Sequence, residues 1–199
     1  MLDRSIPFYN VIMKCERYVP SEIVLPPGFH WKAYEPGAEK AWAAMEYEIG
    51  DFDTPQEAED YFLATYCADV EELRKRCVFV ADARGQIVGA CIAWRDRRGE
   101  GTVASLHWLV VAPAFQGRGL GKALCQRTME LFQSLGELPV YVHTQPWSHK
   151  AIVLYIRQGF RLQTRDTFSH YENQYPLAMQ TLKGVLPPER YRLLEEHSV

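Results

Sequence analysis

Alternating glycines follow a β-rich segment of the chain and precede a helical one, in the run Gln116-Gly117-Arg118-Gly119-Leu120-Gly121. Without Cβ atoms, successive backbone N–H groups can point at one anion, and a helix N-terminus adds partial positive charge. The run predicts a phosphate or pyrophosphate site, with mobile cations from Arg118 and Lys122. Its spacing matches neither the dinucleotide fingerprint nor the P-loop. The alternative is a flexible turn that simply starts a helix.

Tyr155 is a candidate proton donor on a helix predicted over residues 148–158. Ser148, Ala151, Ile152 and Tyr155 have the spacing of one helix face. A phenol has a pKa of about 10 in water, so beside a leaving thiolate it can act as a general acid. The alternative is a core tyrosine of an amphipathic helix.

Together the two segments resemble the GCN5-related N-acetyltransferase (GNAT) family. The glycine run matches the family motif Q/R-x-x-G-x-G/A, which follows a strand and precedes a helix. Residues 148–160 are similar to the motif N-x-x-A-x-x-L-Y-x-x-x-G-F, with Ser148 in place of the family's Asn. Serine is shorter, which puts one cofactor contact in doubt. The resemblance in element order covers residues 29–182.

This resemblance implies acyl-CoA binding, usually acetyl-CoA, where the family's fourth and fifth strands splay apart. The main chain of Leu109, Val110 and Val111 would hold the pantetheine arm, and Gln116–Gly121 the pyrophosphate. Tyr155 would be the general acid. The implied cofactor-binding residues are Leu109, Val110, Val111, Gln116, Gly117, Arg118, Gly119, Leu120, Gly121, Lys122, Ser148, Ala151 and Tyr155. No metal site is predicted.

Acetylation of an amine also needs a base, because an ammonium has no lone pair. His107 is the first candidate, and a hydrogen-bonded structural histidine is the alternative. Strand alternation predicts one face with Ser105, His107, Leu109 and Val111, and an opposite face with Leu106, Trp108 and Val110. His143, Glu46 and Glu48 are weaker candidates for the base, and the two glutamates also for acceptor binding.

The net charge of −3 argues against a nucleic-acid partner and hides an asymmetry. Residues 41–73 contain ten acids and no Lys or Arg, so they carry −10 and the remainder +7. In the family, these helices line the acceptor groove. Their carboxylates would attract a cationic amine, or they form a solvated face. The aromatic residues there are cation–π walls or core: Trp42, Tyr47, Phe52, Tyr61 and Phe62.

The chain is predicted to be α+β, with a GNAT-type central mixed, mostly antiparallel sheet flanked by helices and splayed between strands 4 and 5, at residues 102–111 and 140–143. Predicted helices cover residues 38–49, 55–66, 70–75, 120–135, 148–158 and 187–197. The remaining predicted strands cover residues 8–15, 29–34, 77–81, 87–94, 160–168 and 175–182, the last two closing the sheet. Predicted domain boundaries are 1–28 for an N-terminal arm and linker, 29–182 for the acetyltransferase domain, and 183–199 for the tail.

Five cysteines without C-x-x-C spacing favour a reducing, cytoplasmic setting, and no signal peptide or membrane span is predicted. The sequence predicts direct acetyl transfer from acetyl-CoA to a primary amine, most simply a small cationic molecule, by a monomer or homodimer. The alternatives are a protein or peptide acceptor and a non-catalytic acyl-CoA-binding module.

Overall fold

The computed structural model describes residues 3–199. The strands in this range are β1 (Val11–Cys15), β2 (Phe29–Ala33), β3 (Cys77–Asp82), β4 (Ile87–Arg98), β5 (Gly101–Val111), β6 (Val140–Thr144) and β7 (Arg161–Leu162). The helices are α1 (Ala38–Ile49), α2 (Pro55–Tyr66), α3 (Val70–Arg76), α4 (Leu120–Ser134), α5 (His149–Arg157), α6 (Tyr175–Val185) and α7 (Pro188–Glu196). No helix in the described range is long and apolar enough to cross a lipid bilayer.

The strands form one seven-stranded sheet in the order β2-β3-β4-β5-β6-β1-β7. β2 and β3, β3 and β4, β1 and β6, and β1 and β7 pair antiparallel. β5 and β6 run parallel, and their ladder contains only Ala104↔Val140 and Ser105↔Tyr141. The predicted α+β class with a mixed, mostly antiparallel sheet is therefore confirmed. The short parallel ladder fits the predicted splay between strands 4 and 5, which are β5 and β6.

The chain divides into two compact units, and β4 and β5 contribute residues to both. The first unit comprises Ser21–Ala93 and His107–Leu131, with β2, β3 and α1 to α3 and most of α4. The second unit comprises residues 3–20, Trp94–Leu106 and Phe132–Val199, with β1, β6, β7 and α5 to α7. The predicted domain boundaries at 28 and 182 stay a prediction.

Local capping sets where the first unit's helices begin. The backbone N–H of Glu57 donates to the Thr54 hydroxyl at 3.1 Å, and proline occupies the first turn of α2. At α1, both carboxylate oxygens of Glu39 accept from the Gly37 N–H at 2.9 Å. Apolar residues at helical spacing then bury one face of each helix, including Trp42 and Phe62. Both helices have their predicted bounds.

Strand β1 lies inside the sheet of the second unit. It pairs with β6 over five residues, from Val11↔Thr144 to Cys15↔Val140. On its other side Met13 pairs with Leu162 of β7. The segment predicted as an arm or strand therefore has hydrogen-bonded neighbours on both sides.

Of the two predicted closing strands, the one at residues 160–168 is confirmed only at Arg161 and Leu162, and the one at residues 175–182 is wrong. Only Arg161 and Leu162 are strand, and the chain then turns, with the Asn173 amide donating to the carbonyls of Gln163 and Asp166 at 2.8 Å. The second segment is helix α6, which buries Ala178, Met179 and Leu182 at helical spacing. A closing strand would have to pair with β6. β1 already pairs there over its whole length, so that edge of β6 is occupied.

Candidate active site

The glycine run of the first unit has a backbone conformation that glycine favours. Gly117 and Gly119 have φ values of 75° and 87°, in the left-handed region that favours glycine. The backbone N–H of Ala123 donates to the Gly119 carbonyl at 3.1 Å. The amides of Leu120, Gly121 and Lys122 precede this bond, so they have no carbonyl partner within α4. Exposed glycines before a helix N-terminus form a site that suits a phosphate.

Two side-chain contacts hold this loop in shape. The Gln116 amide donates to the Val111 carbonyl at 2.9 Å, which ties the start of the loop to the end of β5. Arg118 donates to the Ala114 carbonyl at 3.2 Å, and its guanidinium lies 5.2 Å from the centre of the Phe115 ring. The Val111 carbonyl, which belongs to the main chain predicted to hold the pantetheine arm, therefore already accepts one hydrogen bond.

The predicted alternation along β5 is wrong at its centre. Trp108 has φ 48°, a left-handed conformation that is rare for a bulky residue. The ring of Trp108 contacts Tyr61 of α2, and the preceding His107 contacts Tyr66 of the same helix. In a regular strand, consecutive side chains point to opposite faces. The positive φ interrupts that period, so His107 and Trp108 both face α2.

A hydrogen bond of 2.7 Å joins His107 Nδ1 to the Tyr66 hydroxyl. Tyr66 is fully buried, and its ring contacts Phe62 and Tyr61, so the position of its hydroxyl is well defined. If His107 donates from Nδ1, then Nε2 holds the lone pair and can accept a proton. Tyr66 was not predicted from the sequence, because nothing local connects residues 41 positions apart.

Four rings form a cluster that we call the aromatic quartet: Trp42, Phe52, Tyr61 and Trp108. All six ring pairs have centroid distances between 5.4 and 6.3 Å. Trp42 is buried, while the other three rings are partly exposed. Of the other predicted aromatics, Phe62 is core and Tyr47 is exposed. Trp108 was missed because alternation assigned it to the opposite face.

The two candidate glutamates of α1 have different environments. Glu48 is exposed, whereas Glu46 is only 1% exposed, and neither of its carboxylate oxygens has a hydrogen-bond partner among the described residues. Burial raises the pKa of Glu46 well above its usual range, and the negative charge of Asp51 raises it further.

The remaining predicted site residues lie in the second unit. Tyr155, on α5, is 5% exposed, and its ring centre lies 5.6 Å from that of Phe160. Ser148 ends a 3-10 turn, so α5 begins one residue later than predicted. The Ser148 hydroxyl accepts a hydrogen bond from the Gln145 amide at 3.0 Å. Ala151 is half-buried in the first turn. Gly159 follows the helix end with φ 91°, the left-handed conformation that is common for a glycine at this position.

His143 is engaged on both sides within the second unit. Its Nε2 lies 2.9 Å from the Asn10 amide oxygen, and its ring stacks on Tyr171 with centroids 3.7 Å apart. These contacts fix the ring as part of the packing around β1 and β6. Its role as a base stays a prediction.

Comparisons with known proteins identify the family. The model of the acetyltransferase (GNAT) family matches residues 40–160. A glucosamine 6-phosphate N-acetyltransferase of Trypanosoma brucei brucei is 32% identical over 107 residues, which are 50% of this chain and 71% of that protein. An uncharacterized N-acetyltransferase of Mycobacterium bovis is 26% identical over 109 residues, 53% of this chain and 68% of that protein.

Solved structures agree on the fold. A GCN5-related N-acetyltransferase of Sphaerobacter thermophilus superposes with a TM-score of 0.61 at 20% identity, over 80% of this chain and 51% of that one. This chain therefore spans about half the length of that protein. The chain belongs to the GNAT family of acetyltransferases, as the two motifs predicted. The prediction of a GNAT-type acetyltransferase is thereby confirmed.

Proposed function

We propose that this protein transfers an acetyl group from acetyl-CoA directly to the primary amine of a small cationic molecule, within one ternary complex. The observation that carries the proposal is the amide cradle at residues 116–122, which lies within the region matched by the family. Free backbone amides at a helix N-terminus suit the pyrophosphate of CoA. Cytoplasmic localisation and a monomeric or homodimeric state remain predictions.

The residues of the cradle fit an anionic cofactor. Gly117 and Gly119 have open space where a Cβ atom would stand, so their backbone can approach a phosphate closely. Arg118 and Lys122 are exposed and add positive charge. In this proposal Leu109, Val110 and Val111 bind the pantetheine arm through main-chain groups. Ser148 and Ala151 are further cofactor contacts in the proposal.

Two residues move protons in the proposed reaction. His107 takes a proton from the acceptor's ammonium, directly or through water, and so frees the nitrogen lone pair. The nitrogen attacks the thioester carbon and forms a tetrahedral intermediate, and the nitrogen loses its second proton to water as this intermediate collapses to the amide. The C–S bond breaks with its electron pair on sulfur, and the Tyr155 phenol protonates the leaving thiolate.

The acceptor class follows from charge. The acidic residues of α1, α2 and the segment between them favour a cation, with exposed carboxylates at Glu48, Asp53 and Asp60 among them. The Trypanosoma relative is named for glucosamine 6-phosphate, which is also a primary amine but carries a phosphate. It is the second candidate acceptor, and a basic peptide is the third. A module that binds acetyl-CoA without turnover is the alternative outside catalysis.

A thiol-release assay with acetyl-CoA tests the proposal across cationic amines, amino sugar phosphates, amino acids and basic peptides. We expect turnover to be fastest with small cationic amines. If calorimetry showed acetyl-CoA binding but no amine released thiol above background, the protein would be a module that binds acetyl-CoA without turnover. A consistent preference for anionic acceptors would contradict the electrostatic argument.

The Tyr155→Phe variant tests the general acid. Removing the phenol should lower kcat by about 10²-fold or more, because protonation of the thiolate is lost, while acetyl-CoA affinity changes little. Tyr191→Phe on α7 is the matched control, since it removes one phenol from the same unit. An unchanged kcat in Tyr155→Phe would remove the acid role.

A further inference from the structure

The aromatic quartet presents three partly exposed rings, those of Phe52, Tyr61 and Trp108, over the buried ring of Trp42. Tyr61 is 36% exposed, although its ring contacts the three other rings of the quartet. Aromatic faces attract organic cations through their quadrupoles, and desolvation strengthens this attraction. The quartet therefore provides an apolar surface with affinity for positive charge.

Two buried polar groups of α1 lie at the quartet, one within it and one next to it. Trp42 and Glu46 lie one turn apart on the same face of α1. Among the described residues, neither the indole N–H of Trp42 nor either oxygen of Glu46 has a hydrogen-bond partner. Unsatisfied buried polar groups are rare and costly, so such a pair calls for a ligand or a bound water. The carboxyl group needs a donor or a cation.

The charged groups around the quartet favour a cation over a neutral or anionic ligand. Asp51 adjoins Phe52 of the quartet, and its negative charge acts on Glu46. The carbonyl end of α1 lies here, since the N–H groups of Gly50 and Asp51 donate to the Glu46 carbonyl at 3.1 and 3.0 Å. Neither α1 nor α2 has a basic residue in its last turn. A cation here therefore meets the negative charge of Asp51 and of the helix end, and its own charge favours the ionised form of Glu46 over the protonated form.

We propose that the aromatic quartet and Glu46 bind the acceptor as an organic cation, whose ammonium group is carried on a compact apolar body. The rings of Phe52, Tyr61 and Trp108 contact that body, and Glu46, which loses its proton when the cation binds, supplies the charge behind them. The inference rests on the proposed function, and it refines the substrate class toward apolar amines and away from amines that carry a phosphate. The site adjoins the proposed base, because Trp108 follows His107 and the Tyr61 ring lies 6.3 Å from that of Tyr66.

Choline and its uncharged carbon isostere, 3,3-dimethylbutan-1-ol, test this site without turnover. They have nearly the same shape, and choline's quaternary nitrogen cannot be acetylated. Calorimetry on the full chain without acetyl-CoA should show choline binding about tenfold or more tightly than the isostere. Glu46→Gln should abolish most of this preference. Tyr61→Leu, at a partly exposed ring, should weaken choline binding without unfolding the protein.

Glu100→Gln is the matched control, because it removes one exposed carboxylate from the turn between β4 and β5, in the second unit, and should leave the choline preference unchanged. Equal affinities for the two probes, no choline binding, or a preference that survives Glu46→Gln would overturn the site. Selective choline binding without acetylation of any amine would instead refute the proposed function alone. Acetylation that choline does not inhibit competitively would refute this site alone.

Discussion

His107 is the residue whose chemistry depends most on one neighbour. Its Nδ1 lies 2.7 Å from the hydroxyl of Tyr66, which is fully buried. A partner at one ring nitrogen decides which nitrogen carries the proton in neutral imidazole. Tyr66 is therefore a positioning residue for the proposed base, and its effect should appear in the pH dependence of the reaction.

Tyr66→Phe should lower kcat/KM about tenfold and move the acidic limb of the pH–rate profile, because the tautomer and ring orientation of His107 are no longer held. The phenyl ring keeps the packing against Phe62, whose ring centre lies 5.1 Å away. His107→Gln should remove the acidic limb altogether. A Tyr66→Phe profile that superposes on that of the wild type would show that the hydrogen bond is only structural.

Glu46 should make stability depend on pH. Its usual pKa is 4.5, and in the folded protein burial and Asp51 raise that pKa well above this value. Between the two values the folded state holds a proton that the unfolded state has released, so the free energy of unfolding falls as pH rises through this interval. Below the usual value both states are protonated, and Glu46 adds no slope.

Glu46→Gln should remove this slope and make the protein more stable than the wild type at neutral pH. Urea midpoints measured from pH 5 to pH 8 compare the variant with the wild type at each pH. Glu48→Gln has the same change in charge on an exposed part of α1 and should leave the slope in place. Parallel curves for the wild type and Glu46→Gln would contradict the assigned pKa shift.

The glycine loop before α4 is one structural element, and the proposed pyrophosphate cradle depends on its backbone conformation. Gly119→Ala should lower acetyl-CoA affinity and destabilise the fold by about 1 kcal/mol, since φ is 87° there. Calorimetry and urea unfolding measure the two effects. Gly184→Ala, in helix α6 with open space around it, is the control and should be neutral or stabilising. Undiminished affinity in Gly119→Ala would remove the cradle's role.

Elements whose signals are local could be predicted, and those that depend on distant partners could not. The bounds of α1 and α2 follow from Gly37, Thr54-Pro55 and the apolar period, all within a few residues. Over the short segment of α6, the spacing of apolar residues is compatible with either a strand or a helix. This segment forms a helix because β1, from the other end of the chain, already occupies the position beside β6 in the sheet.

For the whole molecule, the position of β1 predicts how the chain responds to truncation. A chain shortened to residues 29–199 loses the strand between β6 and β7, so the second unit should unfold without cooperativity. Circular dichroism during urea unfolding measures this. A chain shortened to residues 8–199 keeps the whole β1 ladder and should unfold like the full chain. Cooperative unfolding of residues 29–199 would instead support a domain boundary at residue 28.

The sequence by itself determined the family, the cofactor motif and most helices of this protein. These depend on neighbours within one or two turns: the φ of a glycine, a capping hydroxyl, the period of apolar residues. Only the tertiary structure decided that Trp108 faces α2, that Tyr66 holds His107, that Glu46 is buried, and that β1 lies inside the sheet. Each of these depends on backbone strain or on pairing between residues far apart in the chain, where packing overrides local preference.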